Sequence, residues 1–472
     1  MNILKRSVIP SLLISIIICF FGSDTFAITI KEEEKLAKDY LKVINKYFTI
    51  IEDPLVSNYI NELGNKIVKK IPKVNFRYKF YVIKEPSYNA FAIAGGNIFI
   101  HTGLITGLTS EEELAGILGH EIAHVNQRHI SKSIERSKSM TIAQLTAIAA
   151  AILLGKEGSG DATSALLFGS MAAMQSISTI YSRDNEREAD KKGIKALVKA
   201  GYNPKGLMFA LNLMRSKQWF SEIPSYFKTH PNIEERLAYI SSYIETNRGT
   251  LNKLKKVDNR RFERFKNKIA GSYENKEIVI QRYREKIKKD PDNIFLNYGY
   301  GLALFRIGDT QKAILHLKKA LNRNPFDPHI LKEIGIIYYH IGEYKKALPP
   351  LSGSISFNTR DLEGRFYLGE IYKKTGELSK AVNIFEGILK RKKYYKKALY
   401  SLGETYGKLG NYPDAHFYLG LHGYKTGNYK TSLFHLNKAK NAHNDPKKID
   451  EIDKLIKRVN KLHKRDKGKK KK

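Results

Sequence analysis

The sequence has one cysteine in 472 residues, Cys19, and it lies inside an apolar run near the N-terminus. If that run is removed on export, the remaining chain has no disulfide and no thiol nucleophile, which excludes a disulfide-stapled scaffold and cysteine catalysis. Long hydrophobic runs are equally scarce. The run from Val8 to Phe21 holds about 14 residues, short of the ~20 that span a bilayer. Lys5 and Arg6 precede it and Thr25-Phe26-Ala27 follows it, so residues 1–27 read as a signal peptide, with an uncleaved anchor as the other reading. Ile17 and Ile18 stand where a lipoprotein signal has small residues, which argues against lipidation of Cys19. Acidic residues are also in deficit, 47 against 82 Lys plus Arg, for a formal charge of +35. Such a charge suits nucleic acid or anionic lipid. The lysines are scattered except at the C-terminal end, however, and no nucleic-acid-binding signature is present, so the excess reads as a general lysine bias. With hydrophobic residues at 42% and aromatics at 11%, a packed core is available and disorder is not the default. The length leaves room for two or three domains.

Apolar residues recur at helical spacing over 31–71: Leu36, Tyr40, Val43 and Ile44, then Val56, Tyr59, Ile60 and Leu63. This stretch reads as helix. Phe76 to Val82 alternates like a strand. Tyr88 to Ile100 is an apolar stretch broken by Gly95-Gly96, a turn feeding a second strand. The Gly95–Ile100 segment suits either the edge strand of a cleft, taking extended peptide by strand addition, or an ordinary core hairpin. Ser110 before Glu111-Glu112-Glu113 is a helix N-cap with an acidic first turn, opening a helix to about Arg128. Residues 141–155 and 162–182 are charge-free and Ala-rich, punctuated by Lys156-Glu157-Gly158 and Asp161. Each is short for a span, and the two are expected to form a helical hairpin that covers the site or touches a membrane surface. Residues 183–200 read as a charged helix closed by Gly201, with Pro204 beyond. Helices continue over 205–245 around the turn Thr229-His230-Pro231, and a basic stretch follows to about 275.

The second half repeats. Gly308, Gly342, Gly376 and Gly410 are spaced by 34 residues, and Ala313, Ala347, Ala381 and Ala415 keep that interval. So do Gly301, Gly335, Gly369 and Gly403, with Tyr338, Tyr372 and Tyr406 three residues after the last three. A period of 34 is that of the tetratricopeptide repeat, a pair of helices that buries its apolar face only by stacking on the next pair. Pro325 closes one repeat, and Pro291, again 34 earlier, points to half a repeat before the first. The turn Thr426-Gly427-Asn428-Tyr429 comes only 17 residues after Gly410, so one helix there serves two turns. Ile449, Ile452, Leu455, Ile456, Val459 and Leu462 form a stripe suited to capping a solenoid. Lys464 to Lys472 read as a disordered basic tail.

His120-Glu121-Ile122-Ala123-His124 carries the chemistry. Residues four apart share a helix face, so both imidazoles reach one ion with Glu121 beside it. Zinc in a hydrolase takes three protein ligands and leaves a position open for water. The metal lowers the pKa of that water, and a carboxylate takes its proton and passes it on. Alone, the pentapeptide is a weak signal whose bland reading is a surface helix with two unrelated histidines. Its context strengthens it: a helix start, apolar neighbours Leu114, Ile117, Leu118 and Ile122, and Glu186-Arg187-Glu188-Ala189-Asp190 on a second predicted helix. Glu186 and Asp190 share a face there. Glu186 can be the third ligand, and Asp190 can orient a ligand histidine by accepting its other N–H. Glu188 points elsewhere, and by itself the segment would read as a solvated charged face. His129 lies five residues after His124, roughly 140° further round an ideal helix, and is left out of the metal shell.

These stretches resemble the zinc peptidases related to HtpX and the CAAX prenyl proteases, and most closely the periplasmic BepA (YfgC) branch, in which the catalytic domain precedes tetratricopeptide repeats. The likeness rests on Asn89-Ala90-Phe91-Ala92 with Gly95-Gly96, Gly119 to His124 with Arg128-His129, Tyr181-Ser182-Arg183 with Glu186 to Asp190, and His230-Pro231 with Arg236. It runs from about Glu33 to the end of the repeats. The resemblance implies that His120, His124 and Glu186 bind zinc, that Glu121 is the general base, and that Asp190 is the aspartate behind a ligand. It also implies that His230 and Arg236 stand near the metal, where an oxyanion wants a cationic or N–H donor. The plain alternative for that pair is a histidine in a turn and an arginine on a helix face. It further implies a switch in which His230 takes the water position as a fourth ligand and later swings away.

The expected fold is mostly α: an α+β HExxH zinc-metalloprotease domain followed by an α-solenoid of tetratricopeptide repeats. The expected boundaries are a signal peptide at 1–27, the peptidase domain at 28–250, a linker at 251–275, the repeat domain at 276–442, and a capping helix and basic tail at 443–472. The expected activity is zinc-dependent hydrolysis of peptide bonds, with one zinc per chain, on unfolded or misassembled envelope proteins. The resemblance implies a periplasmic protein engaged in outer-membrane protein assembly and quality control, with the assembly machinery docking through the repeats. Peripheral membrane contact is compatible with this reading and nucleic acid is not. A repeat scaffold or chaperone with minor or repressed hydrolysis is the main alternative. An integral membrane protease is a third, disfavoured by the shortness of the 141–182 segments.

Overall fold

Residues 31–71 form two helices rather than one in the computed structural model, which describes residues 28–136, 181–216, 226–227 and 230–470. Helix α1 (Ile30–Tyr47) starts at Thr29, whose hydroxyl accepts the Glu32 N–H while the Glu32 carboxylate accepts the Thr29 N–H. Helix α2 (Pro54–Val68) starts at Asp53, whose carboxylate accepts the N–H groups of Leu55 and Val56. Pro54 suits the first helical position and no later one, so the break is set there. The expected signal peptide and the Ala-rich segments as far as residue 180 lie outside the described residues.

Strands β1 (Lys79–Ile83), β2 (Ala90–Ile93) and β3 (Asn97–His101) make one sheet of order β1-β3-β2. β3 runs parallel to β1 and antiparallel to β2. Gly95 and Gly96, at φ of 75° and 84°, make the β2–β3 turn. The Gly95–Ile100 stretch is therefore not an edge: β3 is paired on both sides, and β2 holds the edge among the described residues. The reason is burial on both faces. Ile98 and Ile100 belong to the main core with Val56, Ile60 and Leu118, whereas Phe99 packs with Leu36, Tyr40 and Ile44 of α1. A strand covered on both faces reads as continuously apolar, and that pattern says nothing about which neighbour lies on either side.

Six helices carry the site or enclose it: α3 (Thr102–Gly107), α4 (Glu111–Asn126), α5 (His129–Arg136), α6 (Arg183–Lys199), α7 (Lys205–Ser216) and α8 (Ile233–Thr246). The Ser110 hydroxyl accepts the Glu113 N–H to start α4, and every residue from Glu113 to Val125 is buried. Glycines let its neighbours come that close. A Cβ on Gly193 would lie 2.8 Å from the Gly119 carbonyl oxygen, and one on Gly119 would lie 2.8 Å from Leu197 Cγ. The backbones of α4 and α6 thus touch one turn from His120 and Asp190.

Of residues 251–275, expected as a linker, all but the last belong to this same unit, which ends at Glu274. After α9 (Arg248–Leu251) comes α10 (Arg260–Tyr273), whose Phe262, Phe265 and Ile269 are fully buried in the core. Burying such a side chain contributes about 1.5–3 kcal/mol, too much for a tether. The i, i+3, i+7 spacing of the three was the signal, masked by the basic residues between them.

From Asn275 the chain forms a second unit, with no strand among its described residues. Helix α11 (Lys276–Lys289) precedes four helix pairs: α12 (Ile294–Arg306) with α13 (Thr310–Asn322), α14 (Pro328–His340) with α15 (Tyr344–Phe357), α16 (Leu362–Lys374) with α17 (Leu378–Arg391), and α18 (Lys396–Lys408) with α19 (Tyr412–Thr426). The expected α-solenoid is borne out. A Cβ on Gly301, Gly335, Gly369 or Gly403 would come within 2.5–2.8 Å of Leu317, Leu351, Phe385 or Leu419 of the paired helix. Gly308, Gly342, Gly376 and Gly410 hold φ of 77–86° in the turns between paired helices, a conformation that costs other residues strain. Gly420 of α19 packs in turn on Leu436 of α20 (Tyr429–Ala442), so α19 does serve two neighbours. Ile452 and Val459 of α21 (Pro446–Lys470) are buried against that end. Among the described residues no helix is long and apolar enough to cross a membrane.

Candidate metal centre

The i, i+4 face of α4 places His120 and His124 side by side, their Nε2 atoms 2.9 Å apart. Helix α6 presents Glu186 to both: Oε2 lies 3.4 Å from His120 Nε2 and Oε1 lies 3.2 Å from His124 Nε2. His230, from the turn before α8, closes the group. Its Nδ1 is 3.0 Å from Glu186 Oε1 and 3.3 Å from His120 Nε2. One donor atom from each of these four buried residues lies within 4.8 Å of the others. Donors at the corners of a tetrahedron around zinc, with bonds of about 2.0–2.2 Å, stand about 3.3–3.6 Å apart, so the set fits one ion.

The chemistry of the donors agrees with the distances. Asp190 Oδ1 lies 2.8 Å from His120 Nδ1. A carboxylate only accepts, so His120 Nδ1 carries the hydrogen, and the neutral ring has only Nε2 to offer the centre. Both oxygens of Glu121 are buried with no hydrogen-bond partner. Oε1 is 3.5 Å from His230 Nε2. A buried carboxylate left without a hydrogen bond has a high cost unless a cation or a water complements it.

Arg236 of α8 is buried and committed. It donates to Asp190 from Nε at 2.8 Å and from Nη2 at 2.9 Å, and its Nη1 lies 3.0 Å from Glu186 Oε2. Besides the expected place near an oxyanion, the guanidinium thus holds the two carboxylates that face the histidines. Burial alone would raise Glu186, but His230 and Arg236 outweigh it and hold the carboxyl well below the usual range. Burial likewise opposes the lowering of Asp190 by Arg236 and His120. Burial and Arg236 pull His120 down, yet Asp190 and Glu186 push it up to about 9. His124 falls well below its usual value through burial, against the pull of Glu186. Glu121 is raised, chiefly by burial.

Four further residues belong to the site. Tyr181 and Tyr226 stack on either side of the His230 ring, with centroids at 5.0 and 4.3 Å. His129 Nδ1 lies 2.9 Å from His124 Nδ1, and Glu188 Oε2 lies 3.2 Å from His129 Nε2. His129 stays outside the metal-ligating group, as expected, but it reaches the outer nitrogen of His124 because α4 stops at Asn126 and Arg128, at φ 58°, turns the chain back. No spacing rule marks Tyr226. His120, Glu121, His124 and His230 are each 0% exposed, so the centre is covered in this state.

Residues 54–244 match the model of peptidase family M48, and residues 297–354 match that of a tetratricopeptide repeat. The putative beta-barrel assembly-enhancing protease of Vibrio cholerae is 34% identical over 211 residues, 44% of this chain and 43% of that protein. The beta-barrel assembly-enhancing protease of Escherichia coli strain K12 is 32% identical over 212 residues, 45% of this chain and 43% of that one. The chain spans less than half the length of these curated relatives. Among solved structures, that of MamA aligns with a TM-score of 0.31 at 25% identity, covering 33% of this chain and 91% of MamA.

Proposed function

From an M48 peptidase domain followed by tetratricopeptide repeats, the architecture of this chain, we propose that it is a zinc-dependent endopeptidase of the periplasm, exported by its N-terminal signal. Its substrates are unfolded or misassembled envelope proteins, and its role lies in outer-membrane protein assembly and quality control. The carrying observation is the convergence of His120, His124, Glu186 and His230 beside a buried, unpartnered Glu121. The repeats offer a protein-docking surface, and the names of the curated relatives support the place of action.

Zinc, when bound, polarises a carbonyl and lowers the pKa of a water molecule. His120, His124 and Glu186 hold it, Asp190 keeps His120 in the ligating tautomer, and Arg236 keeps both carboxylates in place. Glu121 takes a proton at its free carboxylate oxygen and returns it to the leaving amine. His230, whose ring nitrogen stands with the donors of His120, His124 and Glu186, would complete the ligand set in the covered state and would leave no place for a nucleophile. Because its ring is clasped by Tyr181 and Tyr226 and no ligand is exposed, peptide enters only when the His230 turn moves.

The test is metal analysis of the purified chain together with casein cleavage. We expect one zinc per chain, loss of cleavage with a chelator and its return on adding zinc; metal-free protein that cleaves casein sinks the reading. His230→Ala is expected to retain zinc and to raise basal cleavage or self-cleavage severalfold. Unchanged zinc affinity and unchanged cleavage in that variant would reduce His230 to a packing residue. The covered centre also favours a second reading, a repeat scaffold on which hydrolysis is mostly repressed.

A further inference from the structure

We propose that His129 and Glu188 are positioning residues that fix the tautomer of His124, forming on that side of the centre a longer counterpart of the Asp190 contact to His120. The inference rests on the reading of His124 as a metal ligand and adds residues outside the ligand set.

The direction of every hydrogen bond in this arm follows from its outer end. The Glu188 carboxylate can only accept, so the hydrogen between it and His129, across 3.2 Å, sits on His129 Nε2. A neutral imidazole carries one hydrogen, which leaves His129 Nδ1 bare. That atom faces His124 Nδ1 at 2.9 Å, and two bare nitrogens would repel, so His124 Nδ1 carries a hydrogen and donates it. His124 Nε2 is then bare, and it is the atom that points at His120 Nε2 and Glu186. The opposite tautomer would place a hydrogen where a cation has to sit.

The fold supports this placement. Arg128 takes the left-handed conformation at φ 58°, and its guanidinium is fastened to the buried Glu33 and to the Ile28 carbonyl. The turn delivers His129, fully buried, edge-on to His124 with ring centroids 4.9 Å apart. Glu188 lies on α6 two residues from each of Glu186 and Asp190, and its side chain is 39% exposed. One helix therefore supplies a ligand and the outer anchors of both histidines. The interposed His129 reaches the site's outer nitrogen from a carboxylate that can remain hydrated, so only one of the two anchors bears the cost of full burial.

Removing an outer partner of a ligating histidine typically costs 10–100-fold in metal affinity. Zinc affinity of the full chain, read by competition with a chromophoric chelator, is expected to fall by about that factor in His129→Leu. His129→Asn keeps an amide oxygen near the place of Nδ1 and is expected to restore most of it. Equal losses in the two variants, or none in His129→Leu, overturn the proposal, the first outcome meaning packing alone. The wild-type protein gives an independent reading if the leucine variant does not fold. In the zinc-loaded chain with ¹⁵N-labelled histidine, His129 is expected as the Nε2–H tautomer and His124 as Nδ1–H. An Nδ1–H or doubly protonated His129 overturns the assignment. Wild-type protein that binds no zinc would instead fail the metal reading itself, before either variant is made.

Discussion

The Glu121→Gln protein is expected to bind one zinc per chain and to cleave casein about 10²–10⁴-fold more slowly than the wild type. Glutamine matches glutamate in shape, so the packing around this fully buried position is kept. What is lost is the proton acceptor. Both carboxylate oxygens are free of hydrogen bonds, and burial raises the pKa of the group against the opposing pull of His230 and His120. A carboxylate moved toward neutrality by its surroundings is suited to hold a proton briefly and release it. Zinc content by elemental analysis and cleavage of labelled casein check the two halves of the expectation. Full hydrolysis by this variant removes Glu121 from the mechanism. Binding of protein partners to the repeats that survives in the inactive protein marks a scaffold role separable from catalysis.

His120→Ala combined with His124→Ala is expected to abolish zinc binding and cleavage together, and to make the peptidase unit's melting independent of zinc. In the wild type, a ligand at about 1,000 times its Kd adds about 4.1 kcal/mol to the stability of the state it binds. The double variant forgoes that increment. It also leaves Glu186, Asp190 and Arg236 buried with two of their partners removed, and breaking such a network adds its own cost. The repeat unit buries separate clusters, around Leu399 and Leu436 and around Phe385 and Leu402, and its helical signal is expected to persist. Calorimetry with and without zinc, alongside metal analysis, decides the matter. Stoichiometric zinc in the double variant sinks the ligand assignment.

What could be read from the sequence divides by range. The ligand pair on α4 and the Glu186–Asp190 pair on α6 lie four residues apart, and a helix turns that interval into a shared face without help from the rest of the chain. The 34-residue period is local in the same way, since each glycine answers to a helix about 16 residues later. His129 stands outside the ligand group as read, but its contact with His124 could not be foreseen, because it depends on the end of α4 and on Arg128, a non-glycine residue at positive φ with no signature of its own. The place of β3 stayed open between edge and core because strand order depends on partners distant in sequence, and an apolar strand fits a centre or an edge equally well. Glu188 looked solvated because its partner was a histidine delivered by that same unforeseen turn. The linker failed through composition: lysines and arginines between Phe262, Phe265 and Ile269 hid a buried stripe.

The contact of Gly119 with Gly193 gives the site a fixed jaw. Two backbones in contact cannot slide or rock without collision, so the histidines of α4 and the carboxylates of α6 form one anvil whose geometry survives whatever passes over it. His230 is held by the Tyr181 and Tyr226 rings, by Glu186 at 3.0 Å and by its N–H to the Tyr226 carbonyl, the contacts that the proposed switch would have to release. On the proposed reading such a centre would open and shut without releasing its metal, and a side chain added at residue 193 would disturb the histidines and carboxylates while leaving His230 in place.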